Sequence, residues 1–389
     1  MNKIMIPIAK PFLGKEEAQA AYDTILTGWV TQGPKVQEFE EKFAGYVGSK
    51  YAVAVSNCTT ALHLSMIVSG IGVGDEVICP SMSYIATANS IRYVGAIPVF
   101  ADVNEDYNLD VIDVESRISE KTKAILLVHQ MGMPADIDSF KNICKKYNLL
   151  LIEDAACAIG SAYKGKKIGT HSDLVCFSFH PRKIISTGDG GMITTNREDY
   201  FNRLKILRQH GMSVNDRLRH ESKKILFEEY LELGYNYRMT DIQAAVGIKQ
   251  LEKLSWIIKE RRKIANYYFD ALKDIDCIRL PIEKNGYYSN YQSFSIYLKK
   301  NCPVSRNELM QKMLDADIST RRGVMTAHRE PAYSNYSDFC LLPLSEDLSD
   351  RSILIPLFIP ESKKIINYII KKISKILRSK RGQPLTKAL

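Results

Sequence analysis

Nowhere in the 389 residues do 18 apolar residues run together, so no membrane-spanning helix is expected. The opening MNKIMIPIAKPF lacks the long apolar core of a secretory signal. The eight cysteines, at 58, 79, 144, 157, 176, 277, 302 and 340, form no CxxC pair. That removes the spacing a structural zinc site needs, and no metal is expected. Several of these cysteines sit in apolar runs such as EVICP and LVCFSF, as free buried thiols do in a reducing compartment. No segment repeats with a fixed period of about 20 to 50 residues, which excludes solenoids and propellers. What remains is a cytoplasmic globular protein. Its 45% apolar and 25% charged residues are ordinary for that class, and its length suits two or three domains.

The net charge of +9 raises the question of nucleic acid, but its distribution answers it. Residues 361–389 hold nine Lys or Arg and one acidic residue, leaving a net of +1 for the rest of the chain. The segment IINYIIKKISKIL carries apolar residues at helical spacing, so its lysines read as the solvated face of a terminal helix. The final SKRGQPLTKAL reads as a frayed tail. Neither nucleic acid nor a membrane is expected as a partner.

From about residue 50, short apolar runs alternate with helical patterns. YAVAVS, EVICP, IPVFADV, AILLVH and LLLIED read as strands, with helices between them, and LVCFSF and GMITT add two more. Runs this continuously apolar suit strands covered on both faces, and the alternation suits a doubly wound α/β sheet. After about residue 240 a long helical run, TDIQAAVGIKQLEKLSWIIKERRKIANYYFDALK, leads into a smaller α+β unit. The expected organisation is an N-terminal arm over 1–30 that packs on a neighbour, a large domain over 31–245 and a small domain over 246–389.

The chemistry concentrates in EDAACAIGSAYKGKKIGTHSDLVCFSFHPRKIISTGDGGM. Asp154 closes an apolar strand, where open α/β sheets place ligands. It is equally placed to cap a helix. Lys183 follows another apolar strand and precedes a glycine-rich turn at Gly188, Gly190 and Gly191; alone it reads as a surface lysine. Together, an amine and a carboxylate suit pyridoxal phosphate, which needs the first for its aldehyde and the second for its ring nitrogen. The lysine must lose a proton to react, which favours a desolvated site beside cations such as Arg182 and His180. Thr59 and Thr60, in SNCTTALHL, stand at a helix start, where amides and the dipole favour a phosphate or merely a cap. Ser178 adds a hydroxyl. Tyr84, in CPSMSYIATAN, follows a third strand end and suits either ring stacking or plain packing.

These residues, with GWVTQGPKVQEFE, PSMSYIATANSIRYVGAIPVFADV, EDAACAIGSAYKGKKIG, SFHPRKIISTGDGGM and GYNYRMTDIQAAVG in that order, resemble the sugar aminotransferases of the DegT/DnrJ/EryC1/StrS family. The resemblance implies a fold-type I aminotransferase: a large, mostly parallel, doubly wound sheet domain plus a smaller C-terminal α+β domain. It implies pyridoxal 5'-phosphate bound by Lys183 as the Schiff-base lysine, by Asp154 at the pyridine nitrogen and by Tyr84 on the ring. Cys58 through its amide, Thr59 and Ser178 match the phosphate cradle. Asn236, by itself a turn residue, matches an asparagine that reaches the partner subunit's phosphate, which implies a homodimer with shared active sites. Cys58 stands where the family usually has Gly or Ala. Cys157 stands where many members place His, Gln or Glu near the ring oxygen, and a thiol is the weaker hydrogen-bond partner.

The implied reaction moves an amino group from glutamate to a nucleotide-linked keto sugar, with a 4-keto-6-deoxyhexose as the commonest family substrate and surface polysaccharide as the destination. Arg321, Arg322, His328 and Arg329, in STRRGVMTAHREPAY, with Thr31, Gln32 and His180, are candidates for the sugar or its diphosphate; a solvated loop is the plainer reading of the first four. Three alternatives stay open. A small phosphorylated ketone is one acceptor. A sugar 3-dehydratase would carry histidine in place of Lys183. A non-enzymatic regulatory protein would use the basic tail.

Overall fold

The computed structural model describes residues 5–214, 222–336 and 341–378. Seven strands build the main sheet: β1 (Tyr51–Val55), β2 (Glu76–Pro80), β3 (Ile97–Ala101), β4 (Thr122–Val128), β5 (Leu150–Asp154), β8 (Leu174–Ser178) and β9 (Gly191–Thr195). Between β5 and β8 lie two short strands, β6 (Ala162–Tyr163) and β7 (Lys166–Lys167). The order across the main sheet is β1-β9-β8-β5-β4-β2-β3. Only β9 runs against its neighbours, pairing antiparallel with both β1 and β8.

Alternation within each strand explains why these runs are apolar throughout. Ala52 and Ala54, Ile78, Ile125 and Leu127 face one core with Phe39, Phe43, Phe140 and Leu254. Val53 and Val55, Val77, Ala124 and Leu126 face the other with Leu62, Leu64, Ile91 and Leu204. Helices therefore cover both faces, and a strand with no wet side has no polar alternation to show. The mostly parallel, doubly wound sheet expected from the sequence is present, with one reversal at β9 that the apolar pattern does not reveal.

The helix Asp241–Leu272 joins this layer to the rest of the chain. Thr240 caps it by accepting from the Gln243 amide at 3.2 Å. Beyond it, β10 (Ile278–Arg279), β12 (Phe294–Leu298), β13 (Arg321–Arg322) and β14 (Ser352–Ile355) form a four-stranded antiparallel sheet, while β11 (Tyr287–Tyr288) pairs with β6. The domain limit expected at 245/246 falls inside the long helix. The terminal helix Lys363–Leu377 buries Ile366, Ile369, Ile373 and Ile376, and Lys363, Lys364, Lys371 and Lys375 face outward. The tail expected to fray, 379–389, and Cys340 lie outside the described residues.

From residue 5 on, the N-terminal segment packs along its own chain. Ile6 bridges to Ile318. The helix Lys15–Leu26 lies on the long helix, where Glu17 accepts from Gln250 at 2.9 Å and from Lys253 at 2.7 Å.

Candidate active site

The carboxyl ends of β1, β2, β5 and β8 meet along one rim, where open α/β sheets bind ligands. Asp154, the last residue of β5, is only 6% exposed. Its Oδ2 accepts from Thr87 Oγ1 at 3.0 Å, and its Oδ1 accepts from the Ala156 amide at 3.1 Å. The helix-cap reading of Asp154 fails, because residues 155–160 form turns and no helix follows. A carboxylate offers about four acceptor positions, so two bonds leave it free to hold something else.

Lys183 sits on the turn after β8, with its amide donating to the His180 carbonyl at 2.8 Å. Its Nζ donates to Cys157 Sγ at 3.2 Å. Burial disfavours the ammonium, but Cys157, Cys58 and Asp154 outweigh it and raise the amine above its ordinary range. Arg182 is exposed. His180 lines the cavity, its Nδ1 accepts from the Arg182 amide at 3.2 Å, and burial together with Arg182 holds it below the ordinary imidazole range.

The cradle forms at the start of the helix Cys58–Val68. Asn57 caps it by accepting from the Thr60 amide at 2.9 Å. The first backbone bond of this helix is made by the Ala61 amide to Asn57 at 3.2 Å, so the Cys58 and Thr59 amides precede the helical ladder. Gly191 packs behind this turn; a Cβ there would lie 2.5 Å from the Asn57 carbonyl and 2.8 Å from the Cys58 nitrogen. Burial, with Asp154 nearby, pushes the Cys58 thiol well above its usual range and keeps it protonated. Ser178 is buried at the end of β8, and Tyr84 stands 67% exposed at the mouth.

Cys58, Thr59, Tyr84, Asp154, Cys157, Ser178, His180 and Lys183 all line one cavity of about 840 Å³. Arg321, Arg322 and Leu354 of the four-stranded sheet, with Ile8 and Leu357, close its far side. An amine, a buried carboxylate with free lone pairs, a helix start with hydroxyls and an aromatic ring thus face one space of ligand size. That donor set fits pyridoxal phosphate.

Other candidates lie elsewhere. Thr31 gives its carbonyl to the Asp241 amide at 2.8 Å, and Gln32 lies 3.4 Å from Gln209 beside a separate cavity of about 230 Å³. His328 is buried away from the main cavity, bonded through Nδ1 to Ser81 and through Nε2 to Glu346 at 3.1 Å. Arg329 pairs with Asp350 at 2.8 Å. The His328 ring and the Arg329 guanidinium are thus engaged within the fold, while the Thr31 side chain is exposed. Asn236 is exposed outside the cavity, with Oδ1 accepting from Arg238 at 3.3 Å.

Sequence reasoning missed Thr87, which orients Asp154. It also missed Asn290, fully buried, whose Nδ2 donates to the carbonyls of Cys157 and Ile159 at 2.8 Å each. ATANS offered a hydroxyl one helical turn from Tyr84 as a signal for the first. Nothing local marks the second.

A family model for the DegT/DnrJ/EryC1/StrS aminotransferase family matches residues 11–374. GDP-perosamine synthase of Vibrio cholerae is 38% identical over 354 residues, covering 90% of this chain and 94% of that protein. The spore coat polysaccharide biosynthesis protein SpsC of Bacillus subtilis is 35% identical over 381 residues, covering 96% and 97%. Among solved structures, the PMP-form of Spr1654 from Streptococcus pneumoniae superposes with a TM-score of 0.90 at 28% identity, covering 95% of this chain and 98% of that one. The same protein is known in a PLP-form. By motif order, sheet topology and site alike, the chain belongs to the DegT/DnrJ/EryC1/StrS aminotransferase family and is a pyridoxal-phosphate-dependent aminotransferase of fold type I.

Proposed function

We propose that this aminotransferase, which belongs to a family acting on sugars, takes its amino group from glutamate and gives it to a nucleotide-linked 4-keto-6-deoxyhexose in the cytoplasm, toward a surface polysaccharide. The observation that carries the reading is the position of Lys183: its amine opens into the cavity that Asp154 lines. A histidine there would have favoured dehydration. GDP-perosamine synthase and SpsC, by name, belong to sugar and polysaccharide chemistry, which supports the acceptor class.

Pyridoxal phosphate, when bound, supplies the electron sink that makes the alpha hydrogen of an amino acid removable. Lys183 would hold it at the aldehyde carbon, Asp154 at the ring nitrogen and Tyr84 at the ring face. Cys157 would hold it at the ring oxygen, and Thr59, Ser178 and the Cys58 amide at the phosphate. Asn236 of a second copy would reach that phosphate, as its exposed position allows.

Asp154 would stand where a ring proton must be retained, and Thr87 fixes its orientation. Once released, the Lys183 amine carries the proton from the donor's alpha carbon and later returns one to the acceptor. Arg321 and Arg322, exposed on β13 at the cavity wall, offer two cations to a diphosphate. With about 840 Å³ available, the cavity is roomier than a small phosphorylated ketone requires.

The test has two stages. The purified protein should absorb at about 420 nm, and L-glutamate should shift the band to about 330 nm, as this cofactor does on accepting an amino group. Lys183→Ala should abolish the shift. The loaded enzyme should then aminate nucleotide-linked 4-keto sugars and leave ketone phosphates unchanged. The reverse preference would overturn the acceptor, and no shift with glutamate would overturn the donor.

A further inference from the structure

Cys157 and Lys183 are brought together from separate turns, one after β5 and one after β8. The Lys183 Nζ lies 3.2 Å from the Cys157 Sγ, and both side chains face the open cavity. Each is held from behind. The Cys157 carbonyl is gripped by Asn290, whose own Oδ1 accepts from the Gln292 amide at 2.8 Å. Lys183 is fixed through its amide to His180. The nitrogen and the sulfur therefore meet without any rearrangement of the loops that carry them.

Peroxides attack a cysteine sulfur in its thiolate form, and here an amine stands 3.2 Å from that sulfur, within reach of the oxidised product. The other thiols nearby are protected differently. Cys58 stays protonated through burial. Cys176 is fully buried and lies 3.2 Å from the Ser65 hydroxyl. Cys157 is half-buried, with its sulfur at the cavity wall.

We propose that Cys157 and Lys183 form a covalent modification site, in which a peroxide joins the sulfur to the lysine nitrogen whenever the amine is free. In the first step the Cys157 thiolate attacks hydrogen peroxide, the O–O bond breaks, and sulfur is oxidised to a sulfenic acid. The departing hydroxide takes a proton from the Lys183 ammonium and leaves as water. In the second step the neutral amine attacks the sulfur, an S–N bond forms, the S–O bond breaks, and a second water leaves. One thiolate, one ammonium and one hydrogen peroxide thus yield one sulfenamide and two waters. Two equivalents of a small thiol reverse it, restoring the cysteine and the amine and leaving the small thiol as its disulfide. While the bond stands, the amine is lost to transamination and the cysteine is shielded from irreversible oxidation.

The experiment treats the full-length protein, freed of bound small molecules, with hydrogen peroxide, then digests it without reductant for mass spectrometry. The expected product is a pair of peptides joined through Cys157 and Lys183, lighter by about 2 Da than their sum and separated by dithiothreitol. Lys183→Ala should give no joined pair and instead a Cys157 peptide heavier by about 16 or 32 Da. Cys157→Ser should give neither. A wild-type protein that yields only sulfinic Cys157 beside free Lys183, a disulfide between Cys58 and Cys157, or an unmodified Cys157 would overturn the proposal.

Discussion

Glu153 and Asp154 are neighbours on β5, both carboxylates and both nearly inaccessible, yet they do opposite work. Asp154 points to the cavity with acceptor positions to spare. Glu153 points into the other face, where its Oε2 lies 2.8 Å from Nε2 of an equally buried His129. The His129 Nδ1 accepts from the Ala135 amide at 3.0 Å, which places the ring proton on Nε2, toward Glu153. Burial would raise the Glu153 carboxyl, but His129 and Ser172 overcome it and hold it below the ordinary range. The period of two along a strand thus sends one carboxylate of the dipeptide to the cavity and the other into the core. The two are tied together, since the His129 amide donates to the Asp154 carbonyl at 3.1 Å.

The sharpest way to break this contrast is Asp154→Asn, which should lower turnover by ~10²–10⁴-fold, the range for losing a positioned proton-holding group, with an unchanged thermal midpoint. If stability fell as well, Asp154 would belong with Glu153. Glu153→Ala should do the reverse. Leaving a buried histidine donor unpaired, it should cost about 1–3 kcal/mol in denaturant unfolding, with the surviving folded enzyme still turning over.

Gly191→Ala tests whether the cradle resembles either carboxylate. Its Cβ would collide with the Asn57–Cys58 turn. We expect a loss of about 1–3 kcal/mol together with weaker cofactor retention in a binding titration, because one backbone serves both.

The smallest effect is pH dependence. Burial depresses His171. A depressed histidine contributes stability above its ordinary value of 6.5 and loses it as pH falls through the lower folded value. Glu153, also depressed, contributes above its ordinary 4.5 and loses it as pH falls further. Thermal midpoints should therefore decline in two stages on acidification, and His171→Gln should shrink the upper stage, which His63 and His180 share, and leave the lower one.

The residues that line the cavity were legible because it sits where strands end, and strand ends are punctuated in sequence: LLLIED before Asp154, LVCFSF before Lys183, YAVAVSN before Thr59. The reversal at β9 was not legible, since a strand buried on both faces reads the same in either direction. Motif and charge reveal that a polar residue is used, not whether a substrate or a neighbouring loop uses it: the His328 ring is bonded to Ser81 and Glu346, and Arg329 to Asp350. Asn290 and Glu153 stayed silent for a related reason: their partners are far away in sequence and fixed only once the chain is folded.

The helix Asp241–Leu272 has a mechanical consequence. Near its start the Asp241 carboxylate accepts from the Gly33 amide at 2.7 Å and the Val36 amide at 3.0 Å. Twenty residues on, the buried guanidinium of Arg261 donates to the carbonyls of Tyr291 at 2.9 Å and Gln292 at 2.7 Å. At 1.5 Å per residue these grips stand about 30 Å apart on one rod. A tilt of a few degrees at the Gly33 end would carry the Gln292 end by an ångström or two, roughly the scale on which reacting atoms come into register. The segment around Gly33 thereby acts as a fulcrum, and the backbone behind Cys157 as the load.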